Sequence, residues 1–516
     1  MNFQSILYPN NHIRKEIQKE PSVFRDLNID HIINKIIHGK KDYNLKPFYL
    51  EPLHDINTIE YRLEIMRDLE QQPMLEQIKS FSQKVFFLSR KTSAILERLT
   101  SSEKYYHNYL EKGNFLDAAK CYCYIVNFLT NRLASSDIKS RGLVAFNRYL
   151  SLYTASESFR ELQKDTDTLK ANLSNVKYTM LIKSGSIRVR KFESETDYEA
   201  EIEQFFKKFQ QGSVEDYRKE LSQEPYAAHI EAGVLDLVAG LYPKKFADID
   251  SFCIKHRDYL DKAIVRFSRE VQFYISYLEY IEKFKNSGLY FCYPKVSSQN
   301  KEIYSNGSFD LALADKLHDT GAPVICNDFF LEGQERIIVV SGPNQGGKTT
   351  FARTFGQLHY LASIGCPVPG QEARLFLPDG IFTHFEREED INDLVGKLQN
   401  DLVRIREIFS RATGSSIIII NEILASTTLR DAQSIGKKII EKIVQLNALC
   451  VFVTFLSELS SFNENTVSMV SNVVPENPAV RTYRIVRKKA DGRAHAISIV
   501  EKHRLTYEAL KERVKS

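Results

Sequence analysis

None of the seven cysteines forms a C-x-x-C pair, and the closest two are Cys121 and Cys123. Without such pairs, metal ligation by cysteine is not expected. The odd count speaks against a complete disulfide framework, so the thiols are expected to be reduced, in a cytoplasmic protein. No run of about 18 apolar residues occurs, which excludes a membrane-spanning helix. The opening, MNFQSILYPNNHIRKEIQ, has no sustained apolar stretch, and no signal peptide is expected. A strong charge excess is missing as well: the net charge is +4, which permits nucleic-acid binding without arguing for it. No internal repeat or low-complexity segment stands out. What remains, 43% hydrophobic and 26% charged residues in a chain of 516, is the composition of a globular protein of two to four domains.

Residues 1–300 read as mostly helical. In NTIEYRLEIMRDLEQ, Asn57 and Glu60 fit a capping box, and Ile59, Leu63 and Met66 recur on one helical face. Further on, Leu260, Ile264, Phe267, Val271, Tyr274, Leu278 and Ile281 alternate spacings of four and three. That seam predicts a helix over 250–286, ended by Gly288, serving either as a packed rod or as a lever between distant sites. One β insertion is expected in VKYTMLIKSGSIRVRKF. Tyr178, Met180 and Ile182 precede a Ser184-Gly185 turn, and Ile187 and Val189 alternate with Arg188 and Arg190. The basic face of this hairpin is either simply solvated or a contact for backbone phosphates.

The polar, turn-rich stretch KVSSQNKEIYSNGS marks a boundary near 300, after which strand and helix patterns alternate as in a mainly parallel α/β sheet. There the apolar run Ile337 to Val340 leads into Gly342-x-x-x-x-Gly347-Lys348-Thr349, a complete P-loop between a strand and a helix. Glycines let backbone N–H groups curl around phosphate oxygens. Lys348 supplies a point charge for the outer phosphates, and the Thr349 hydroxyl can ligate Mg²⁺. The helix that follows aims its positive end at the anion and is expected to run to Ile364, before Gly365. Gly342, Pro343, Asn344, Gln345, Gly346, Gly347, Lys348, Thr349 and Thr350 are thus the expected ATP-binding residues.

The second half of the site is SSIIIINE. Four isoleucines, Ile417 to Ile420, read as a buried strand ending in Asn421 and Glu422, where the Walker B element belongs. Glu422 is the candidate base that orients the attacking water, with Lys348 as its catalytic partner. Asn421 stands where an Asp would hold the metal shell. Its amide oxygen can still accept a hydrogen bond from metal-bound water, but the negative charge is gone.

These segments resemble the MutS family, the ABC-type ATPases of DNA mismatch repair. SGPNQGGKTT is similar almost residue for residue to that family's TGPNMGGKST. VPGQEARLFLPDGIFTHFEREEDI resembles its VPAQ…IFTR…DDL stretch, with Gln371 at the Q-loop position. Asp431, beyond LASTTLRDA, matches the family's D-loop Asp. Upstream, PLHDINTIEYRLEIMRDL resembles a motif of the family's helical core, and REVQFYISYLEYIEKFKNSGLYFCYP resembles the helix leading back to its ATPase. The likeness is specific over about 324–510 and weaker, though consistent, over about 50–300.

The departures bear on activity. Gly396 stands at the Ser of the family's signature, the residue that reaches the partner subunit's γ-phosphate. Thr454-Phe455 replaces Thr-His, and Val324 replaces an adenine-side Phe. Together with Asn421 these predict tight ATP binding and slow hydrolysis. With the core motif starting by residue 50, no N-terminal mismatch-reading domain is expected. Phe159-Arg160-Glu161 matches the wedge pattern Phe-x-Glu by chance in a helical stretch. No C-terminal nuclease domain is expected either. RTYRIVRKKADGRAHAISIV reads as a closing hairpin, with Asp491-Gly492 in its turn and with Arg487, Lys488 and Lys489 on a face that is either solvated or a phosphate contact.

The resemblance therefore implies an α/β P-loop (ABC-type) ATPase domain over 301–516. It is preceded over 1–300 by a mostly α-helical core and lever region with a small β-hairpin. The implied cofactors are ATP and Mg²⁺, with Thr349 and Asn421 at the metal. The implied protein is a homodimeric, ATP-gated clamp on DNA, engaging the backbone or its shape, in mismatch repair or recombination. Two other readings stay open: a nucleotide-gated protein scaffold with weak hydrolysis, and a factor acting on RNA or ribosomes.

Overall fold

The computed structural model describes residues 3–9, 16–100, 108–183, 186–193, 225–386, 396–424, 427–474, 477–490 and 511. The chain is mixed α/β, helical in its N-terminal half and sheet-rich towards its C-terminus. It divides into two compact units, one of residues 1–4, 76–138 and 144–269, the other of 5–75, 139–143 and 270–516. The change of texture at 300 falls inside the second unit, which also takes in 5–75 and 270–300.

The first unit is built of helices around an aromatic core. Phe146 stacks on Phe267 at 3.6 Å, with Phe3 and Phe81 edge-on or tilted against the pair. Phe159 is buried at 5.0 Å from the Tyr153 ring, so it is a core residue and not an exposed wedge. The expected hairpin is present as β1 (Tyr178–Lys183) paired antiparallel with β2 (Ser186–Lys191). Its turn, Ser184-Gly185, lies outside the described residues. Cross-strand pairing sets Leu181 opposite Arg188 and Thr179 opposite Arg190, so both arginines share one face. The other face carries Tyr178, Met180 and Ile182, all exposed, Ile182 to 69%.

Two helical expectations shift. The helix expected over 250–286 is two helices, Pro243–Lys255 and Lys262–Asn286. The break comes at Asp261, whose carboxylate accepts from the N–H groups of Ala263 and Ile264 at 2.9 Å and so caps the second helix. The seam from Ile264 to Ile281 is buried, and Gly288, at φ 84°, follows the helix end as expected. The helix over Ile56–Leu69 starts one residue before Asn57, because Asp55 accepts from the N–H groups of Asn57 and Thr58. Ile59, Leu63 and Met66 are buried as predicted.

The second unit holds a six-stranded sheet. Its strands are β7 (Ile337–Ser341), β10 (Ile381–Phe385), β11 (Ile417–Asn421), β12 (Leu449–Val453), β13 (Thr466–Val474) and β14 (Asn477–Arg487). They lie in the order β10-β11-β12-β7-β13-β14, parallel except for β14. The central strands are apolar up to their last residue, Ser341 in β7 and Asn421 in β11, because both faces are covered. Ile337, Val339, Ile418, Ile420, Cys450 and Phe452 pack with residues of the helices Lys397–Arg411 and Leu429–Leu446. The opposite face receives the helix Lys348–Ser363, which Gly356 lets approach: a methyl there would lie 2.8 Å from Ile419 Cδ1. A second sheet, of β4 (Lys295–Ser297), β5 (Ile303–Ser308), β6 (Asn327–Leu331) and β9 (Glu372–Phe376), runs in the order β4-β9-β5-β6, and β3 (Phe291–Cys292) pairs antiparallel with β8 (Val368–Pro369). Among the described residues no helix is long and apolar enough to cross a membrane.

Candidate functional site

Strand β7 is wholly buried and delivers the chain into the glycine loop at its C-terminal end. The loop needs left-handed backbone at Gly342 (φ 122°), Gln345 (φ 58°) and Gly347 (φ 90°), and Gly347 caps the helix that begins at Lys348. Lys348 is only 4% exposed. Its ammonium donates to the carbonyls of Gly342 and Pro343, both at 3.1 Å, and to Asn344 Oδ1 at 3.4 Å. The loop thus wraps around the lysine head.

Two strands away, β11 ends at Asn421, and Glu422 follows it. Asn421 is 7% exposed, and its Oδ1 accepts from the Thr349 hydroxyl at 3.0 Å. Glu422 has left-handed backbone (φ 52°) and donates its N–H to Val453 O. Its carboxylate reaches Lys348 Nζ at 3.2 Å. The structure therefore brings together Lys348, Thr349, Asn421 and Glu422 from segments about 70 residues apart. An amide oxygen, a hydroxyl and a carboxylate converge here. That oxygen set suits Mg²⁺, which takes few protein ligands and keeps several waters.

The other expected residues lie elsewhere on the unit. Gln371 opens the approach to β9, exposed, with its N–H on Asn306 O at 2.9 Å. Gly396 caps the helix Lys397–Arg411 in open space: a methyl added there meets nothing within 4 Å. Asp431 lies in the first turn of the helix Leu429–Leu446, where its carboxylate accepts from the Thr428 hydroxyl at 2.8 Å. Thr454 is buried at the end of β12, its N–H on Val340 O, and the Phe455 ring that follows is half exposed. Val324 is half-buried in the chain before β6. The Asp491-Gly492 turn lies outside the described residues.

Three residues of the β13–β14 ribbon also reach the loop, and motif reading did not single them out. Ser471 donates its hydroxyl to Gly346 O at 2.7 Å. Arg481 Nε donates to Asn344 O at 3.3 Å. Tyr483, half exposed and at φ 57°, lies beside Gly347, where an added methyl would sit 3.7 Å from its Cβ. A tyrosine in left-handed backbone is uncommon and concentrates at functional sites. The sequence signal was absent because the ribbon lies more than 120 residues downstream and reaches the loop only through β13 pairing with β7.

A buried parallel strand, a glycine loop and a helix in that order, with a second strand ending beside the loop, define the P-loop class of α/β proteins. Within it, residues 338–514 match the family model of MutS domain V. The chain is 28% identical over 190 residues to Endonuclease MutS2 of Thermus thermophilus, covering 36% of this chain and 25% of that one. It is 28% identical over 186 residues to the human DNA mismatch repair protein Msh3, covering 35% and 16%. To the DNA mismatch repair protein MutS of Thermotoga maritima it is 28% identical over 181 residues, covering 34% and 22%. The aligned stretch spans a quarter or less of each of these relatives.

Proposed function

We propose that the chain binds ATP with Mg²⁺ on the loop Gly342–Thr350, hydrolyses it slowly, and uses that cycle to gate DNA binding as a homodimer. The carrying observation is the meeting of Thr349 with Asn421 and of Lys348 with Glu422 at one end of two parallel strands. The functional division follows the sequence boundary, with an ABC-type ATPase domain over 301–516 and a helical core and lever region over 1–300. The named activities of the relatives, mismatch repair in MutS and Msh3, support a DNA partner.

In this reading the loop N–H groups and the start of the helix Lys348–Ser363 hold the phosphates. The Lys348 ammonium exchanges its loop carbonyls for the outer phosphate oxygens. Thr349 and Asn421 would hold Mg²⁺, which neutralises charge on the β- and γ-phosphates when bound. Glu422 orients a water whose oxygen attacks the γ-phosphorus. The bond to the β–γ bridging oxygen breaks, giving ADP and inorganic phosphate. Gln371, Gly396 and Asp431 are assigned to the faces of the dimer that complete the site. Tyr483 offers an exposed ring for the base.

A second reading, a nucleotide-gated protein scaffold, draws on Asn421 and on the phenylalanine at 455, which removes a donor to developing charge. Two measurements test and separate the readings. Fluorescent-ATP titration should show binding by the wild type and its loss in Lys348→Ala; equal affinity in the two overturns the site assignment. Binding to duplex, junction and single-stranded DNA across a salt series, with and without ATP, should give a slope against log salt. No binding to any of them at low salt leaves the scaffold.

A further inference from the structure

The back of the glycine loop is seated on a single side chain of a neighbouring strand. In the parallel pairing of β13 with β7, Val470 stands opposite Ser341, so Ser471 comes level with Gly342 where the loop begins. Ser471 is buried, and its hydroxyl donates to Gly346 O at 2.7 Å. The fit has no slack. A methyl at Gly342 would lie 2.9 Å from Ser471 Cβ, and one at Gly346 would collide with Ser471 Oγ.

We infer that Ser471 is a positioning residue that aims the loop's phosphate-binding N–H groups. In a trans peptide the C=O and the following N–H point in opposite directions. With Gly346 O drawn towards β13, the Gly347 N–H is turned away from β13 and into the loop. That N–H immediately precedes Lys348 and stands where a helix N-terminus receives an anion. Both residues flanking this peptide are glycines, Gly347 already at φ 90°, so their backbone alone does not fix the peptide plane. The Ser471 hydroxyl does. Ser468, on the same strand opposite Val339, has a buried hydroxyl with no hydrogen-bond partner among the described residues, which makes it a control.

The inference rests on the reading that this loop binds nucleotide phosphates, and the experiment separates the two. Fluorescent ATP and ADP are titrated into the wild-type protein, Lys348→Ala, Ser471→Ala and Ser468→Ala, with thermal unfolding of each measured without nucleotide. Ser471→Ala should weaken ATP and ADP binding by about tenfold, the effect of one hydrogen bond that orients a charged contact. Its unfolding temperature should match that of Ser468→Ala, which binds as the wild type does. In steady-state hydrolysis the loss should appear in KM and leave kcat little changed. If the wild type binds and Lys348→Ala does not, while Ser471→Ala binds as the wild type does, the inference on Ser471 fails alone. If the wild type itself binds no nucleotide, the reading of the loop fails. Should Ser471→Ala not fold, Ser471→Cys, which keeps the size but weakens the donor, decides: weakened binding supports the role and wild-type binding overturns it.

Discussion

The Lys348 ammonium stands 3.2 Å from the Glu422 carboxylate, so the cation proposed for the outer phosphates and the base proposed for water are held by each other. A γ-phosphate and the carboxylate then compete for one ammonium, and the base comes free only as phosphate takes its place. Glu422→Gln removes the competing charge and the base together. ATP should bind it at least as tightly as the wild type, while hydrolysis falls by about 10²–10⁴-fold. Phosphate release in single-turnover conditions, beside nucleotide titration, checks both halves. Wild-type turnover in the variant would remove Glu422 from the mechanism.

Much of this arrangement was legible in the sequence because its signals are local. Ile417 to Ile420, four β-branched residues in a row before two polar ones, read as a strand buried on both faces, and the glycine spacing before Lys348 indicates a loop before a helix. Ser471, Arg481 and Tyr483 could not be read, since sheet pairing alone brings β13 and β14 to that loop. Two helices start elsewhere than their sequence pattern suggests, for a related reason. Asp55 and Asp261 cap the helices, but from sequence either could be an ordinary loop aspartate. The resemblance puts Asp431 at the D-loop position, and the structure adds a capping contact with Thr428 that the resemblance does not carry.

Arg62 offers a test of how the far end of the loop helix is secured. It is fully buried, donates to Leu7 O at 3.1 Å and Ile364 O at 2.9 Å, and lies over the Tyr8 and Phe273 rings. Ile364 caps the helix Lys348–Ser363, so the guanidinium also meets the negative end of that helix. Arg62→Met leaves two buried carbonyls without their donor. It should cost about 2–5 kcal/mol of stability, read from urea unfolding monitored within the sheet-containing unit. A change below about 0.5 kcal/mol would show that water replaces the guanidinium at no cost.

His359 sets an acid limit on the same helix. It is fully buried, its Nδ1–H donates to Phe355 O at 2.8 Å, and burial pushes its imidazole down to about 4 from 6.5. The folded protein keeps this ring neutral while the unfolded chain protonates it. Its contribution is therefore fully present above about pH 6.5 and is lost as pH falls towards 4, by up to about 3 kcal/mol. The buried carboxyl of Asp310, held above its ordinary range by burial, acts in the opposite sense. His359→Leu should flatten the fall in stability between pH 6.5 and 4, measured by denaturant midpoints at each pH. An unchanged profile would assign that acid sensitivity to other groups.

The hairpin prediction concerns charge alone. Arg188 and Arg190 project from one face of β2, opposite Leu181 and Thr179. If that face meets phosphates, replacing both arginines by Glu should weaken duplex binding on every sequence alike. The salt slope should also fall by about one for each phosphate that is no longer neutralised. Equal affinity and slope in the variant would make this a solvated face.

In the proposed reading, Asn421 limits how fast the site works. Its amide oxygen accepts from the Thr349 hydroxyl at 3.0 Å, the position from which an aspartate would add a negative charge beside Mg²⁺. The side chain is nearly buried, so that charge would act in a poorly screened place. Losing a partner of this kind costs about 10–100-fold in metal affinity or activity. Asn421→Asp keeps the size and the acceptor oxygen and restores the charge. It should lower the Mg²⁺ concentration needed for half-maximal hydrolysis and raise turnover, without changing the fold. Asn421→Ala removes the acceptor and should do the reverse, leaving Thr349 alone on that side. Steady-state phosphate release across a Mg²⁺ series for the three proteins measures this. If the aspartate variant matches the wild type in both rate and Mg²⁺ midpoint, Asn421 merely satisfies the Thr349 hydroxyl at a strand end, and the metal role proposed for it is wrong.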